Sequence, residues 1–270
     1  MTALLERLGH PPDARLLIIS AEGLGVSNAA NMGVFAGLRL GVATSTGLMM
    51  PCPWSRHAAA RVEPGDDVGV ALTLNAEHEQ YRWGPLTQAP TLLDGDGGFP
   101  RTVADVWDHA DVDEVRRECR AQLERARQWG VEVTHLSSHL QALLLRPEFF
   151  DVLLELALEA GLPIRLAPDS SERLAGFPLR QLADEEGVLH PDHVVVPRNG
   201  AQLIETLRGL PAGVTEIVLR PALDSPELRA YTADWASQVE DYDLLVNDAQ
   251  VIDLLRDVTR IGYTEMRRAQ

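Results

Sequence analysis

Short apolar runs alternate with stretches of helical periodicity along nearly the whole chain. Strands are predicted at 15–20, 41–49, 67–74, 131–136, 163–166, 193–197, 214–220 and 243–246. Most of these runs are nearly continuous in apolar residues and do not alternate with polar ones. This pattern favours strands that are buried on both faces of a parallel sheet.

The intervals between the runs carry apolar residues three and four positions apart, which is typical of amphipathic helices. Helices are predicted at 28–38, 112–129, 147–160, 200–209, 226–238 and 248–257. Asp111 is placed to cap helix 112–129, and Glu114 is placed as its partner in a capping box. Gly130 and Gly161 follow two helix ends, where glycine commonly ends a helix.

Seven or eight βα units within one domain, 1–270, predict an α/β fold of the distorted TIM-like (β/α) barrel type. A doubly wound open sheet is the alternative. The longest irregular stretch, 75–110, follows a predicted strand. An insertion at this end of a barrel strand usually forms a wall of the active site. We therefore expect the functional site at the C-terminal ends of the strands.

Charge and composition narrow the range of partners. The chain has 40 acidic and 24 basic residues and a formal net charge of −16, which disfavours a nucleic-acid partner. The sequence contains neither a signal peptide pattern nor an apolar run of the ~18 residues that a membrane span needs. Two isolated cysteines, Cys52 and Cys119, suit a reducing compartment. The expectation is a cytoplasmic protein that binds a small molecule and no membrane, with homo-oligomer formation open because 140–145 is strongly apolar.

The stretch IISAEGLGVSN, residues 18–28, follows the first predicted strand and raises two readings. Gly23-Leu24-Gly25 is similar to the start of a dinucleotide-binding fingerprint, but Asn28 stands at the third glycine position. That fingerprint also needs an acid about 20 residues further on. No Asp or Glu occurs between Glu22 and Glu63. The dinucleotide reading is therefore rejected, and Glu22 becomes the candidate functional group.

Four segments together resemble the YdjC-like carbohydrate deacetylases. They are LLIISAEGLGVSNAANMGVFAGLRLGVATSTGLMMPCPW, DVGVALTLNAEHEQYRWGPLT, VTHLSSHLQALLLRPEFF and GVTEIVLRPALDSPELRAYT. The similarity runs over nearly the whole chain in the same order. It implies a distorted (β/α) barrel and the metal-dependent removal of acetyl groups from N-acetylated sugars.

That activity needs a metal held by two histidines and a carboxylate, which this chain does not reproduce. Gly23 stands where the resemblance implies the metal-binding carboxylate, and Ala71 stands where it implies an imidazole. His139 is the one surviving metal ligand. Ser137 replaces the acid that would orient His139.

The family's catalytic positions are also substituted. Glu22 matches the catalytic base but is one methylene longer, and Arg220 replaces the histidine that would protonate the leaving amine. We expect Arg220 to pair with Glu22, because leaving both charges unpaired in a closed pocket would be costly. Binding of an anionic group by Arg220 is the alternative.

Ligand contacts are expected from Arg82, Trp83 and Ser137, since aromatic and polar side chains commonly line concave sites. The alternative for Arg82 and Trp83 is a loop folded over the barrel mouth. His135 shares the strand parity of His139 but falls outside the ligand pattern, so it is predicted to pack in the core.

The sequence as a whole predicts a carbohydrate deacetylase-like protein that has lost metal-dependent deacetylation. It would bind a sugar or another small ligand, or act as a regulatory homologue, without a cofactor. The alternative is an active hydrolase that deacetylates N-acetylated sugars with Zn²⁺ or Mg²⁺ in an altered site.

Overall fold

A computed structural model of the chain describes residues 3–168, 171 and 174–270. The strands are β1 Arg15–Ala21, β2 Thr46–Leu48, β3 Val68–Leu72, β4 Val133–Ser138, β5 His193–Val195, β6 Gly213–Leu219 and β7 Thr259–Arg260. The helices are α1 Ala3–Arg7, α2 Asn28–Arg39, α3 Ser55–Ala59, α4 Val103–His109, α5 Val112–Gln128, α6 Pro147–Ala160, α7 Leu179–Glu185, α8 Gly200–Arg208, α9 Pro226–Tyr231, α10 Trp235–Val246, α11 Ala249–Leu254 and α12 Tyr263–Ala269.

The strands form two parallel sheets, with the orders β5-β6-β1-β7 and β2-β3-β4. Parallel bridges from Ser20 to Ser45 and from Leu24 to Leu48 connect β1 to the segment that contains β2. A further bridge joins Ile164 to Leu136 on β4. Helices alternate with these strands, so the predicted α/β class is confirmed and the arrangement is of the distorted barrel type.

The predicted helix ends agree with the observed caps except at one side chain. The Asp111 carboxylate accepts hydrogen bonds from the backbone N–H groups of Asp113 and Glu114. Gly161 ends α6 with φ +62°, in the left-handed region that favours glycine. The Glu114 carboxylate accepts instead from the backbone N–H and hydroxyl of Thr91. It therefore fastens the loop before α4 rather than completing a capping box.

Three predicted elements have a different structure. The run 243–246, predicted as a strand, forms the last turn of α10, where Leu244 and Leu245 are buried. A short apolar run does not distinguish a strand from a buried helix turn. The predicted helix 226–238 is divided, because Thr232 has an extended backbone between α9 and α10. The segment 163–166 contributes a bridge and not a full strand.

The largest apolar cluster lies between the sheets and the surrounding helices, with members from Leu17 to Leu255. Cys52 and Cys119 are buried in it as free thiols. Among the described residues, no helix combines the length and apolarity required to cross a membrane. The cytoplasmic location remains a prediction.

Candidate functional site

A cavity of about 420 Å³ opens where the C-terminal ends of the parallel strands meet. This volume lies in the range of roughly 300–1,000 Å³ that is usual for small-molecule sites. Its lining includes the polar side chains of Glu22, Ser137, His139, Arg165 and Arg220, together with the apolar Ala71. The location is the one expected for a barrel-type α/β fold.

Glu22 follows β1 and is bound by Arg165. The Arg165 Nη2 donates to Glu22 Oε1 at 2.5 Å, and Arg165 Nε donates to Glu216 Oε1 at 2.8 Å. Burial disfavours the charged guanidinium, but the carboxylates of Glu216 and Glu22 together raise the pKa of Arg165 well above its usual range. Arg165 is thus a fixed cation at the floor of the cavity.

The predicted pairing of Arg220 with Glu22 is wrong. The Arg220 side chain is 52% exposed, and its Nη2 lies 3.9 Å from Asp234 Oδ2. Its backbone N–H donates to Asp241 Oδ2 at 2.7 Å. The Glu22 backbone N–H donates to the neighbouring Leu219 carbonyl, so the strand end lies beside Glu22 and only the Arg220 side chain is directed elsewhere, towards Asp234. Arg165 pairs with Glu22 in place of Arg220. Its side chain lies inside the barrel, directly after the bridge at Ile164.

Glu216, on β6, is fully buried behind Arg165. The Ser20 hydroxyl donates to its Oε1 at 2.6 Å, and the Tyr263 hydroxyl donates to its Oε2 at 2.6 Å. Burial, followed by the charge of Glu216, raises the pKa of Tyr263. Both carboxylate oxygens are therefore satisfied, as a buried charge requires.

Our sequence reasoning missed Arg165 and Glu216. A signal for both was present, since each is a lone charged residue within an apolar run, PIRL at 163–166 and VTEIVL at 214–219. Charged side chains are rarely buried unless they are paired. Two lone charged residues of opposite sign in buried apolar segments therefore indicate an interior ion pair.

His139 retains an orienting carboxylate, but it comes from another element. Its Nε2 lies 3.0 Å from Glu77 Oε2. Burial alone would raise the pKa of Glu77, whereas the charge of His139 and its hydrogen bond lower that pKa to about 2. His78 Nε2 lies 3.9 Å from the other Glu77 oxygen, and burial lowers the pKa of His78. The expectation that His139 lacks an orienting acid is therefore corrected, because the 75–110 insertion supplies one.

The backbone after His139 is strained. Leu140 has φ +47° and Gln141 has φ +63°, values that side chains with a Cβ rarely adopt. Such outliers cost of order 1–3 kcal/mol each and cluster at functional sites. Ser137 faces the same cavity, is 1% exposed and has a hydroxyl without a hydrogen-bond partner among the described residues.

Arg82 and Trp83 do not line the cavity. The Arg82 guanidinium bonds the carbonyls of Ala76 and Phe99 and pairs with the Asp94 carboxylate. The buried Trp83 donates through Nε1 to the carbonyl of Asn75 at 2.9 Å. Both side chains therefore brace the insertion from inside, rather than facing a ligand as the sequence suggested. This bracing positions Glu77 and His78 at the cavity.

His135 packs in the core, in line with its predicted role. Its ring is fully buried and stacks on Tyr263 with centroids 3.8 Å apart. A Cβ built on Gly69 would lie only 2.4 Å from His135 Cε1, so Gly69 makes room for the ring. Burial lowers the pKa of His135 well below its usual range, which favours a neutral core residue.

The residues at the cavity floor do not fit a catalytic metal. Gly23 and Ala71 offer no ligand atom, and Glu22 and His139 are engaged by Arg165 and Glu77. Within residues 3–168, 171 and 174–270, no three His, Cys, Asp or Glu side chains converge in a metal-binding arrangement. Catalytic zinc sites use about three protein ligands. The cavity is instead lined by ionic and hydrogen-bonding side chains.

Comparisons with known proteins give consistent results. A family model described as YdjC-like protein matches residues 16–256. The chain is 35% identical over 276 residues to a carbohydrate deacetylase of Thermus thermophilus, covering 98% of both chains. It is 28% identical over 243 residues to a carbohydrate deacetylase of Thermoanaerobacter pseudethanolicus, covering 90% of this chain and 95% of that one.

A solved structure from Enterococcus faecalis, named for cellobiose-phosphate cleavage, superposes with a TM-score of 0.82. It covers 94% of this chain and 99% of that chain at 23% identity. At this level of identity the likeness shows the fold alone.

Proposed function

Because this chain belongs to the YdjC-like protein family, we propose that its cavity binds a carbohydrate-type ligand without metal-dependent deacetylation. The observation that supports this proposal most directly is the ion pair between Arg165 Nη2 and Glu22 Oε1, which lie 2.5 Å apart. The one carboxylate at the first turn is thus held by a permanent cation. A divalent metal at the same floor would lie beside that guanidinium, and the His139 ring that could bind it already contacts Glu77.

The first turn also opposes recovery of a ligand. Gly23 has φ +98°, a conformation that residues with a Cβ rarely adopt. A Cβ built there meets only Ala30 Cβ, at 3.9 Å, so the obstacle is backbone conformation and not space. The turn therefore lacks a ligand side chain at Gly23 and also has a backbone conformation that favours glycine at this position.

Retention of a ligand site is supported by groups that a plain core would not contain. Ser137 keeps a buried hydroxyl without a partner among the described residues. An unsatisfied buried hydroxyl is costly unless a ligand or water satisfies it. Leu140 and Gln141 hold strained conformations beside His139. Together they support binding of a small polar molecule.

The metal part of the proposal is tested by metal content and acetate release. The purified protein is incubated with Zn²⁺, Mg²⁺ or Co²⁺, desalted, analysed for bound metal, and assayed on N-acetylglucosamine oligomers. We expect substoichiometric metal and acetate release equal to buffer. The variant Ala71→His is the matched comparison, and it should retain more Zn²⁺ than the parent because it regains an imidazole at the cavity without straining the turn at Gly23.

The binding part is tested by thermal-shift measurements with mono- and oligosaccharides. Stabilisation that Ser137→Ala weakens would support the proposal. No stabilisation by any sugar would contradict the ligand-binding role and leave only a regulatory role through a partner.

An active deacetylase with an altered metal site is the second candidate. It is favoured by the relative from Thermus thermophilus, which is named a carbohydrate deacetylase and is 35% identical. Stoichiometric metal together with acetate release that a chelator abolishes would establish it and would overturn the proposal above.

A further inference from the structure

We propose that Glu118 and Gln122, two fully buried polar residues of α5, are positioning residues for the cavity although neither side chain lines it. They hold the segment 73–87, which contributes Glu77 and His78 to the cavity lining. The inference rests on the proposed function for the identity of the site, and it names residues that set the geometry of that site from outside.

The segment 73–87 depends on side-chain contacts for its position. It directly follows β3, which ends at Leu72, and it contains neither a helix nor a strand. Such a chain has no backbone ladder to fix it, and the entropy lost on fixing each residue opposes a single conformation. Contacts with a rigid element are therefore needed to keep Glu77 in one place.

Gln122 holds the beginning of the segment through both atoms of its side-chain amide. Its Oε1 accepts a hydrogen bond from the Thr73 backbone N–H at 2.9 Å, and its Nε2 donates to the Thr73 carbonyl at 2.7 Å. Buried backbone groups require partners of this kind. The amide thus replaces a neighbouring strand at the point where the chain leaves β3.

Glu118 holds the end of the segment. Its Oε1 accepts from the Leu86 backbone N–H at 3.0 Å, and its Oε2 accepts from the Thr87 backbone N–H at 2.9 Å and from the Thr87 hydroxyl at 2.7 Å. A carboxylate that is 0% exposed needs such donors to remain buried. The carboxylate and the end of the segment therefore stabilise each other.

The two residues act as one unit. They lie one helical turn apart, and Gln122 Nε2 donates to Glu118 Oε1 at 2.9 Å. Both ends of the segment are thereby fastened to the same face of a 17-residue helix. Between the fastened ends, Glu77 Oε2 lies 3.0 Å from His139 Nε2. Release of either end should therefore shift Glu77 relative to His139.

Packing alone does not call for polar residues at these two positions. The other buried residues of the same helix are apolar, namely Val115, Cys119, Leu123 and Ala126. A carboxylate and an amide cost more to desolvate than such side chains. A satisfied polar network, in contrast, specifies one arrangement of the groups that it joins. We therefore assign the pair to positioning.

The imidazole ¹⁵N chemical shifts of His139, measured by NMR on the full chain at one fixed pH, report the contact at Nε2 and test the inference. Glu77→Ala supplies the shift of the ring without its partner. Glu118→Leu should move the Nε2 shift by at least half of the difference between the parent and Glu77→Ala. Glu118→Gln keeps one acceptor oxygen and should restore part of that change.

Gln122→Met nearly keeps the side-chain length and removes both hydrogen bonds to Thr73. It should move the His139 shift in the same direction as Glu118→Leu, and it decides the question where Glu118→Leu does not fold. The matched control is Glu124→Leu, at an exposed position on the same helix. It should leave the His139 shift as in the parent.

Titration calorimetry with an N-acetylglucosamine trimer is the second readout. Gln122→Met should bind it about tenfold more weakly than the parent, because Glu77 and His78 no longer keep their places at the cavity. An unchanged His139 shift in folded Gln122→Met would overturn the positioning role and leave the pair a purely structural one. Equal affinity of the parent and Gln122→Met would also overturn it.

The two readouts separate this inference from the proposed function. No binding of the trimer or of other sugars by the parent would overturn the proposed function. The His139 shifts, which need no ligand, would still decide whether Glu118 and Gln122 position Glu77.

Discussion

Arg165 neutralises two carboxylates at the site, one at the cavity surface and one buried behind it. Glu22 faces the cavity, and Glu216 is fully buried behind the guanidinium. A buried ion pair stabilises little relative to apolar packing, but removing one partner leaves an uncompensated charge. The position therefore tolerates few substitutions.

Replacing Arg165→Met should lower the free energy of unfolding by about 3–5 kcal/mol, because Glu216 is left buried without a cation. The double variant with Glu216→Gln should recover part of this loss. Urea unfolding at neutral pH measures both.

The control is Arg101→Met, which breaks an exposed pair with Asp96 and should change stability little. Equal effects of the two Arg substitutions would contradict the special role of Arg165.

Asp241 should make the stability of the fold depend on pH with the opposite sign to an acid whose pKa is lowered by an ion pair. Burial raises its pKa to about 6, although the Arg220 N–H donates to it at 2.7 Å. The folded-state pKa exceeds the unfolded value, so the stabilising contribution of the protonated form is present below about pH 4 and is lost as the pH rises through about 6. Asp241→Asn should therefore be more stable than the parent by about 1–3 kcal/mol at neutral pH.

Urea unfolding between about pH 4 and 7 tests this expectation. The advantage of Asp241→Asn should vanish towards the acidic end. Asp257→Asn, at an exposed turn position after α11, should show the same pH profile of stability as the parent. Parallel profiles for Asp241→Asn and the parent would contradict the buried, raised pKa.

At the scale of elements, α2 is positioned by a glycine contact beneath the cavity rim. A Cβ on Gly33 would lie 2.6 Å from the Pro221 carbonyl oxygen and 2.7 Å from Ala222 Cα. Both neighbours are backbone atoms directly after Arg220, so they cannot move as a flexible side chain would. The helix thus approaches the β6 end as closely as glycine allows.

Gly33→Ala should destabilise the fold by about 1–3 kcal/mol, because overpacking exceeds the helix propensity gained. Gly37→Ala, one turn further along the same helix, meets Ala43 Cβ at an ordinary 3.5 Å. It should be neutral or stabilising by up to about 1 kcal/mol. Thermal unfolding of the pair measures the contrast, and a stabilising Gly33→Ala would refute the close contact.

The 75–110 insertion acts as an element of the site although it has little regular structure. Arg82 and Trp83 hold it from inside, and Glu77 reaches His139 from its first residues. Loops that carry function are commonly positioned by internal contacts in this way. Arg82 and Trp83, which the sequence suggested as ligand contacts, therefore support residues that line the cavity.

At the scale of the whole molecule, the charge of −16 acts on stability as well as on partner choice. Uncompensated like charges repel in the compact state, and salt screens exposed charges over about 10 Å at 0.1 M. The melting temperature should therefore rise by about 2–4 °C between low salt and 0.3 M NaCl, corresponding to roughly 1 kcal/mol. Differential scanning calorimetry measures the shift. A falling melting temperature would show that attractive surface pairs outweigh the net repulsion.

The C-terminal helix connects the two ends of the barrel. Tyr263 at the start of α12 bonds Glu216, which in turn contacts Arg165 at the cavity floor. The Thr264 backbone N–H donates to the buried Asp67 at 2.6 Å, at the opposite end of the strands. The last helix is thereby part of the core and not an appendage.

The amino-acid sequence alone determined the alternation of strands and helices, the caps at Asp111 and Gly161, and the absence of a metal-ligating side chain at Gly23 and at Ala71. These features depend on local periodicity or on residue identity, which can be read position by position. A short apolar run without alternating polar positions, such as 243–246, has no periodicity to read, so the sequence did not distinguish a strand from a buried helix turn there.

Only the tertiary structure decided which charges meet. Glu22 pairs with Arg165 across 143 positions, and Glu77 reaches His139 across 62. Arg220 follows the strand end that bonds the Glu22 backbone, yet its side chain extends towards Asp234 and not towards Glu22. Ion pairing depends on distance in space and on burial, and neither is encoded by spacing along the chain.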